Sequence, residues 1–321
     1  MKTKKWVYLL TGLMYPTKTI YPDIRPDSWE ILSESIAEVH ISRIGITLKR
    51  VFLAKEDRVR KVHEQYEYEH GDRFAFYIND GEMNDNLAQR FADAVMLSLA
   101  VVHNVAMDET PTAIRIPESC IKKGRIIRIK DLVGDEGIGG ETYFQVVRAV
   151  GVSSEVLDYA WRIIPVIVGN QSTMDAASFY RESITQAWVA GPDVEGILWN
   201  TDMSDIPSSQ VERARVETAY QNAFKAVEAI VGEPPKDKRK LRLRLTERGI
   251  NPDEMLGYNV YGTKPAKDTI LKKLIDMQQT RDKKAAHGKS NIPRTIGYCE
   301  LRDKQELARH LILFNIDFIL Q

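Results

Sequence analysis

One arginine and one histidine near the C-terminal end of the chain have the types and spacing that phosphoester chemistry uses. Arg281 and His287 are separated by five residues in the stretch Arg-Asp-Lys-Lys-Ala-Ala-His-Gly-Lys. A guanidinium binds phosphate oxygens in a fixed planar fork, and an imidazole titrates at about pH 6.5, where it can both take and give a proton. The pair therefore indicates a site that binds or cleaves a phosphodiester.

The spacing of this pair is not unique in the chain, because Arg58 and His63 have nearly the same one. That second pair lies in a β-type region with no helix to present it, and we interpret it as accidental. Around Arg281 the pattern is helical, and Arg281 follows Leu274 and Gln278 along one stripe. Gly288 can end this helix in a left-handed cap, which leaves His287 in the last turn.

The half of the chain that carries Arg281 is predicted to be almost entirely helical. Apolar spacing and helix-stop residues predict helices over 172–190, 209–231, 236–248, 269–286 and 302–320. Ser209 and Glu212 form a capping box at the start of the second of these helices. In the last helix we expect four side chains to face inward: Leu307, Leu311, Phe314 and Phe318. Helices joined by short loops with Gly and Pro predict an all-α bundle over residues 171–321.

Residues 1–170 are predicted to form a separate α+β domain. Strands are expected over 6–14, 39–53, 113–116, 125–130 and 142–150, and a hairpin is expected to join 63–69 to 73–78 through His70-Gly-Asp. Asn84 or Asp85 can cap a long helix, and a shorter helix follows Ser153/Ser154. Pro165 is expected to end or kink the shorter helix.

Charge is balanced overall but not locally. The chain has 45 Lys and Arg against 45 Asp and Glu, which argues against a protein that holds nucleic acid through bulk positive charge. Residues 236–248 nevertheless carry seven Lys or Arg against two acids, and residues 264–294 carry nine against three. For 236–248 two interpretations stay open, a solvated helix face and a ridge that contacts phosphates.

Other patterns argue against several classes of protein. Cys120 and Cys299 are too few for a disulfide framework, and the six histidines form no metal-ligand spacing, so we expect no metal and no cofactor. The glycines of 134–140 precede a β-type run rather than a helix and predict a plain loop. No run of about 18 apolar residues exists, so no membrane span is expected. Without a complete secretion signal at the N-terminus, the chain is expected to be cytoplasmic.

The residues around Arg281 resemble the motif of the HEPN family (higher eukaryotes and prokaryotes nucleotide-binding). Its members are α-helical bundles in which an Arg, commonly followed by Asn, Asp or His, precedes a His by several residues. Here Asp282 follows Arg281, and Ala-His-Gly closes the motif. The helix 220–231 is similar to the helix that often precedes the motif. The resemblance covers roughly residues 172–321, and an α+β module ahead of it is similar in architecture to the ApeA-type defence proteins.

The resemblance implies a metal-independent endoribonuclease that acts as a homodimer, in a toxin or anti-phage defence role. Two copies of the helical domain would meet at a two-fold axis and build one composite site for RNA. It assigns catalysis to Arg281 and His287, with Arg281 stabilising phosphate charge and His287 transferring a proton. It assigns RNA binding to four further residues: Asp282, which would orient a neighbouring side chain, and Lys283, Lys284 and Lys289, which would hold flanking phosphates.

A non-catalytic interpretation stays open. Many HEPN-like bundles act as nucleotide-binding, RNA-binding or dimerisation modules. Arg281 would then pair with a carboxylate at an interface, and His287 would cap the C-terminus of its helix, where its partial positive charge is favourable. Residues 1–170 have no catalytic cluster of their own. We expect them to act as a sensor that restrains or directs the helical domain in response to a regulatory ligand or protein.

Overall fold

The structure is a computed structural model, in which the chain divides into two compact units, Met1–Met96 with Met107–Gly169, and Leu97–Ala106 with Asn170–Gln321. The described residues are 5–10, 13–14, 38–41, 45–51, 60–62, 65–67, 73–78, 83–103, 113–122, 125–126, 150–151, 154–187, 207, 209–235, 237–257, 267–281 and 295–321. That residues 1–170 and 171–321 are domains with separate roles stays a prediction.

The first unit contains an antiparallel sheet of five strands in the order β3-β4-β7-β1-β8. The strands of this unit are β1 Trp6–Leu10, β2 Leu13–Met14, β3 Glu38–Ile41, β4 Ile46–Val51, β5 Arg60–Val62, β6 Gln65–Glu67, β7 Arg73–Ile78, β8 Ala113–Pro117, β9 Ile121–Lys122, β10 Arg125–Ile126 and β11 Val150–Gly151. In the middle of the sheet Tyr8 lies opposite Phe76 on one side and Arg115 on the other. Both Tyr8 and Phe76 are buried.

The first unit also contains α2 Ser154–Gly169 and the part of α1 Asp85–His103 that ends at Met96. As predicted, Asn84 caps α1, since its side chain accepts from the backbone N–H of Leu87 at 3.0 Å. The Tyr8 hydroxyl donates to Asp85 at 2.8 Å and accepts from the Asn84 N–H at 2.9 Å, which ties β1 to the start of α1. Phe91 then packs on the sheet, with its ring centroid 4.7 Å from that of Phe76.

One expectation for the first unit is wrong, and one of the two alternatives for Pro165 is excluded. The predicted hairpin between 63–69 and 73–78 does not form in the residues described, because β6 pairs with β5 while β7 lies between β1 and β4. Alternating apolar residues define a strand but not its partner. Pro165 also does not end α2, which runs on to Gly169. Ile163, Ile164 and Ile167 are fully buried around it, and that burial offsets the hydrogen bond that a proline cannot make.

The second unit is helical, as the sequence predicts, while its membership of a particular helical family stays a prediction. Its helices are α3 Gln171–Gln186, α4 Gln210–Val231, α5 Lys238–Glu247, α6 Ile270–Thr280 and α7 Tyr298–Leu320, and two short strands, β12 Met255–Leu256 and β13 Asp268–Thr269, pair with each other. The predicted capping box of α4 is confirmed. The Ser209 side chain accepts from the Glu212 N–H at 3.1 Å, and the Ser209 N–H donates to the Glu212 carboxylate at 3.3 Å.

Packing in this unit centres on α4, which lies against both α3 and α7, while α6 contacts α5 and α7. Leu307 and Leu311 face inward as expected, but Phe318 is 52% exposed. The expectation for Phe318 is wrong because α7 keeps its apolar spacing beyond the buried part of the helix. Part of the Phe318 ring packs over Gly249, where an added Cβ would lie 3.0 Å from the ring, and the φ of +73° at Gly249 would strain any residue with a side chain.

Among the described residues, no helix is long and apolar enough to cross a membrane.

Candidate functional site

Of the six residues that the sequence assigns to the site, one lies within the described residues and five lie outside them. Arg281 is described and lies at the C-terminal cap of α6. The other five lie outside the described residues: Asp282, Lys283, Lys284, His287 and Lys289. Arg281 and the side chains around it therefore define the geometry of the site.

Helix α6 holds Arg281 in a fixed place through contacts at both of its ends. The Thr269 side chain caps the start of α6 by accepting from the Lys272 N–H at 3.2 Å. One turn before Arg281, the buried Gln278 amide donates to the Pro234 carbonyl at 2.9 Å. Leu274 is 1% exposed and Gln278 is 7% exposed. The stripe that the spacing predicts thus lies in the interior, and Arg281 continues it at the edge.

A row of three side chains on α4 receives the end of α6. Tyr220, Phe224 and Glu228 are four residues apart in sequence and so lie on one face of α4. The Tyr220 hydroxyl donates to the Met277 carbonyl at 3.4 Å. The Cζ atom of Arg281 lies 4.3 Å from the centroid of the Phe224 ring. The Arg281 guanidinium also donates to Glu228 Oε1 at 3.0 Å.

A second set of hydrogen bonds fixes the residue just before Arg281. The Thr280 hydroxyl donates to Glu300 near the start of α7 at 3.2 Å. Burial raises the pKa of Tyr220, and the neighbouring Thr280 side chain opposes that rise. The end of α6 is thus tied to α7 through Thr280 and to α4 through the Tyr220–Met277 hydrogen bond. The backbone at Arg281 is therefore held from two sides.

Glu228 is a partly buried carboxylate with one strong cationic neighbour. Burial raises its pKa above the usual value, and the Arg281 charge opposes that rise. The side chains of Arg281 and Glu228 are 28% and 27% exposed. A guanidinium that is partly open to solvent, and that is held by a ring and a carboxylate, is suited to bind an added oxyanion such as a phosphate.

Sequence reasoning predicted the direction in which Arg281 faces but missed the groups that receive it. Glu228 and Phe224 contact Arg281 across 53 and 57 residues of sequence, and no local pattern links positions so far apart. The one available signal was the spacing of four that joins Tyr220, Phe224 and Glu228. Apolar periodicity does not single out Glu228, because that residue is charged.

Other patterns that could carry chemistry add no described group to this site. The glycines of 134–140 and the Arg58–His63 pair lie outside the described residues. His310 Nε2, on α7, lies 3.4 Å from Glu254 Oε1. Within the described ranges no three His, Cys, Asp or Glu side chains come together as the ligands of a metal ion would.

Comparison of the chain with protein-family models, with curated proteins and with solved structures gives no match.

Proposed function

We propose that this chain is a metal-independent endoribonuclease of the HEPN type. The observation that carries the proposal is the placement of Arg281 at the end of α6. Its guanidinium contacts Phe224 and Glu228, and 28% of the Arg281 side chain is exposed to solvent. A guanidinium whose position is already fixed loses little conformational entropy when it binds a phosphate. His287 follows six residues later, at a distance in sequence that allows both side chains to serve one phosphodiester.

The chemistry assigned to the site is an internal transesterification. The ribose 2′-oxygen attacks the adjacent phosphorus, and the bond from phosphorus to the 5′-oxygen breaks. His287 takes the proton of the 2′-hydroxyl or gives a proton to the departing 5′-oxygen, and Arg281 stabilises the charge that builds on the phosphate. The products are a 2′,3′-cyclic phosphate and a 5′-hydroxyl. One histidine fills one of the two proton-transfer roles, and a second copy of the chain at a two-fold axis supplies the other.

The test is cleavage of total RNA by the purified full chain in the presence of EDTA. We expect the wild-type chain to degrade RNA and to leave 2′,3′-cyclic phosphate ends. Arg281→Ala and His287→Ala are each expected to reduce the rate by at least about a hundredfold, the usual scale for losing a proton-transfer or charge-stabilising group. Circular dichroism and sedimentation of each variant check that fold and assembly are kept.

The chain offers a matched control in Arg58 and His63, which have nearly the same spacing. Arg58→Ala and His63→Ala are expected to cleave at the wild-type rate. Retained cleavage in Arg281→Ala or in His287→Ala overturns the proposal, as does equal loss in the control pair.

A second candidate function, a non-catalytic RNA-binding or dimerisation module, has support from one observation. Arg281 already pairs with a carboxylate, Glu228, within its own chain, which is the kind of role a structural arginine has. This alternative predicts that RNA is shifted in a native gel but stays intact in EDTA.

Expressing residues 1–170 and 171–321 separately tests the defence or toxin role of the proposed nuclease, since toxicity to the host is expected only from the helical half.

A further inference from the structure

The basic segment around α5 divides into cations that hold the fold and cations that do not. Arg242 forms a two-pronged pair with Asp253, with N–O distances of 2.5 and 2.7 Å. Arg244 donates to the Glu233 carbonyl and Arg248 to the Ile230 carbonyl, both at the C-terminal end of α4. These three arginines bind the unsatisfied carbonyls and the acid that surround α5. Their positive charge is therefore explained by the fold itself.

Three other cations of this segment have no such explanation. Lys238, Arg239 and Lys240 occupy the first turn of α5, are exposed, and their side chains have no hydrogen bond or ion pair to other described residues. Asp237 and Asp253 already have hydrogen-bond partners of their own. Asp237 caps the helix by accepting from the Arg239 and Lys240 backbone N–H groups, at 2.7 and 3.3 Å. Asp253 is paired with Arg242, whose hydrogen bonds lower its pKa, with a further contribution from the Lys238 charge.

The apolar side of α5 argues against a lipid surface as the partner. Helices that bind membranes lay their apolar face into the bilayer. Here Leu241 and Leu245 are fully buried within the protein, so that face is not available. Within α5, Leu243 is the exposed leucine, at 60%. A helix with its apolar side buried and its cations outward fits an anion that needs no insertion, such as the phosphate backbone of a nucleic acid.

The position of α5 relates it to the Arg281 site. Arg281 pairs with Glu228, Arg248 binds the Ile230 carbonyl and Arg244 binds the Glu233 carbonyl, so three guanidiniums surround the last turns of α4. Helix α5 also contacts α6, which carries Arg281. The exposed cations of α5 and the guanidinium of Arg281 are thus presented by elements that share one end of α4.

We propose that Lys238, Arg239 and Lys240 form an RNA-binding surface that holds the phosphates of a single strand on its way to Arg281. The inference deepens the proposed endoribonuclease function and rests on it for the identity of the strand. The contacts are to phosphate and carry no sequence specificity of their own. The surface would raise affinity for the strand while Arg281 and His287 act on the scissile phosphate.

The experiment measures binding without cleavage. The probe is a fluorescent single-stranded 2′-O-methyl oligoribonucleotide, which lacks the attacking hydroxyl, and anisotropy is followed over a range of salt concentrations with the full chain. The variant is Lys238→Gln/Arg239→Gln/Lys240→Gln, since glutamine keeps helix propensity. We expect affinity to fall about tenfold and the slope of log affinity against log salt to fall by about 2. The thermal unfolding midpoint should not change.

A control variant removes the same charge elsewhere. Lys5, Arg162 and Arg215 are exposed and lie outside α5, and the variant Lys5→Gln/Arg162→Gln/Arg215→Gln is expected to keep affinity within about twofold. Equal losses in the two variants would mean that only net charge matters and would overturn the inference. Unchanged RNA binding in the α5 variant overturns it too. Binding of the wild-type chain and the α5 variant to phosphatidylserine vesicles is also compared, and a variant that loses vesicle binding but keeps RNA binding would overturn the inference.

The outcome for the surface is distinguishable from the outcome for the nuclease. If the wild-type chain binds the probe through α5 but cleaves no RNA, the surface stands and the proposed nuclease falls. If the chain cleaves RNA and the α5 variant binds and cleaves normally, the nuclease stands and the surface falls.

Discussion

The guanidinium of Arg281 lies over the ring of Phe224, with its Cζ atom 4.3 Å from the ring centroid. It also donates to Glu228 at 3.0 Å, and Glu228 is one helical turn beyond Phe224 on α4. The position of the residue assigned to phosphate binding is therefore set by a different helix from the one that carries it. Substitutions on α4 should therefore alter the position of the Arg281 guanidinium although Arg281 itself is unchanged.

Phe224→Leu is the most direct test of that dependence. The substitution keeps an apolar group in a buried position but removes the ring beneath the guanidinium. We expect the free energy of unfolding to fall by about 1–2 kcal/mol, through lost packing and a lost cation–π contact, and RNA cleavage to fall more than this loss explains. Urea unfolding and single-turnover cleavage measure the two effects. Phe179→Leu, beneath Lys225 at 5.5 Å, is the control; an equal effect of both variants on cleavage would contradict the expectation.

Glu228→Gln tests the electrostatics of the same pair through pH. Burial raises the pKa of Glu228 above 4.5, so the folded state binds this proton more tightly than the unfolded state does. The stability that this group contributes is present below about pH 4.5 and is lost as pH rises through the raised pKa. Gln does not titrate, so the variant should gain stability relative to wild type between about pH 4 and pH 7.

Urea unfolding of both proteins at the two pH values gives the comparison. Because the charge of Arg281 opposes the rise in the pKa of Glu228, an Arg281→Ala background should increase the total change in stability with pH. A gain for the Gln variant at the acidic pH rather than at the neutral one would show that the sign is wrong.

The sequence predicted the helices of the second unit well because each is defined by local signals. The capping box of Ser209 and Glu212 and the spacing of Leu274, Gln278 and Arg281 are all readable within one or two turns. The groups around Arg281 are not local. Glu228 meets Arg281 only because α4 and α6 pack together, and periodicity within one helix does not specify a partner helix.

Helix α7 gives a second case in which the local sequence does not predict burial. The polar run 302–306 is typical of a solvated face, yet Arg302, Lys304, Gln305 and Glu306 are all 9% exposed or less. These side chains are buried with partners: Arg302 pairs with Glu306 at 2.5 Å, and the Gln305 amide donates to the Ser183 hydroxyl at 3.1 Å. Burying a polar group costs less when it has such partners. The Arg302–Glu306 pair is local to α7, whereas the Ser183 partner of Gln305 is supplied by the packing of α3 against α7.

Ser209→Ala should destabilise the second unit by about 1 kcal/mol. The Ser209 hydroxyl accepts from the Glu212 N–H, and without it a backbone donor at the start of α4 loses its partner. Thr218→Ala is the control on the same helix, since the Thr218 hydroxyl donates to the Ala214 carbonyl one turn earlier, which the helix already satisfies. Urea unfolding measures both. A loss for Ser209→Ala no greater than that for Thr218→Ala would mean that the cap does not stabilise the helix.

Asp303 and Lys273 allow a test of how the interior tolerates charge. The Asp303 carboxylate lies 2.5 Å from the ammonium of Lys273, which is 2% exposed, and 3.0 Å from that of Lys304, which is 8% exposed. Asp303→Asn keeps the shape but removes the charge that both ammonium groups face, and should lower the free energy of unfolding by about 3 kcal/mol. Lys273→Met fills a similar volume and leaves Asp303 paired with Lys304, so its cost should stay below about 1 kcal/mol. If urea unfolding showed the lysine change to be the more damaging, Asp303 could not be the centre of this buried cluster.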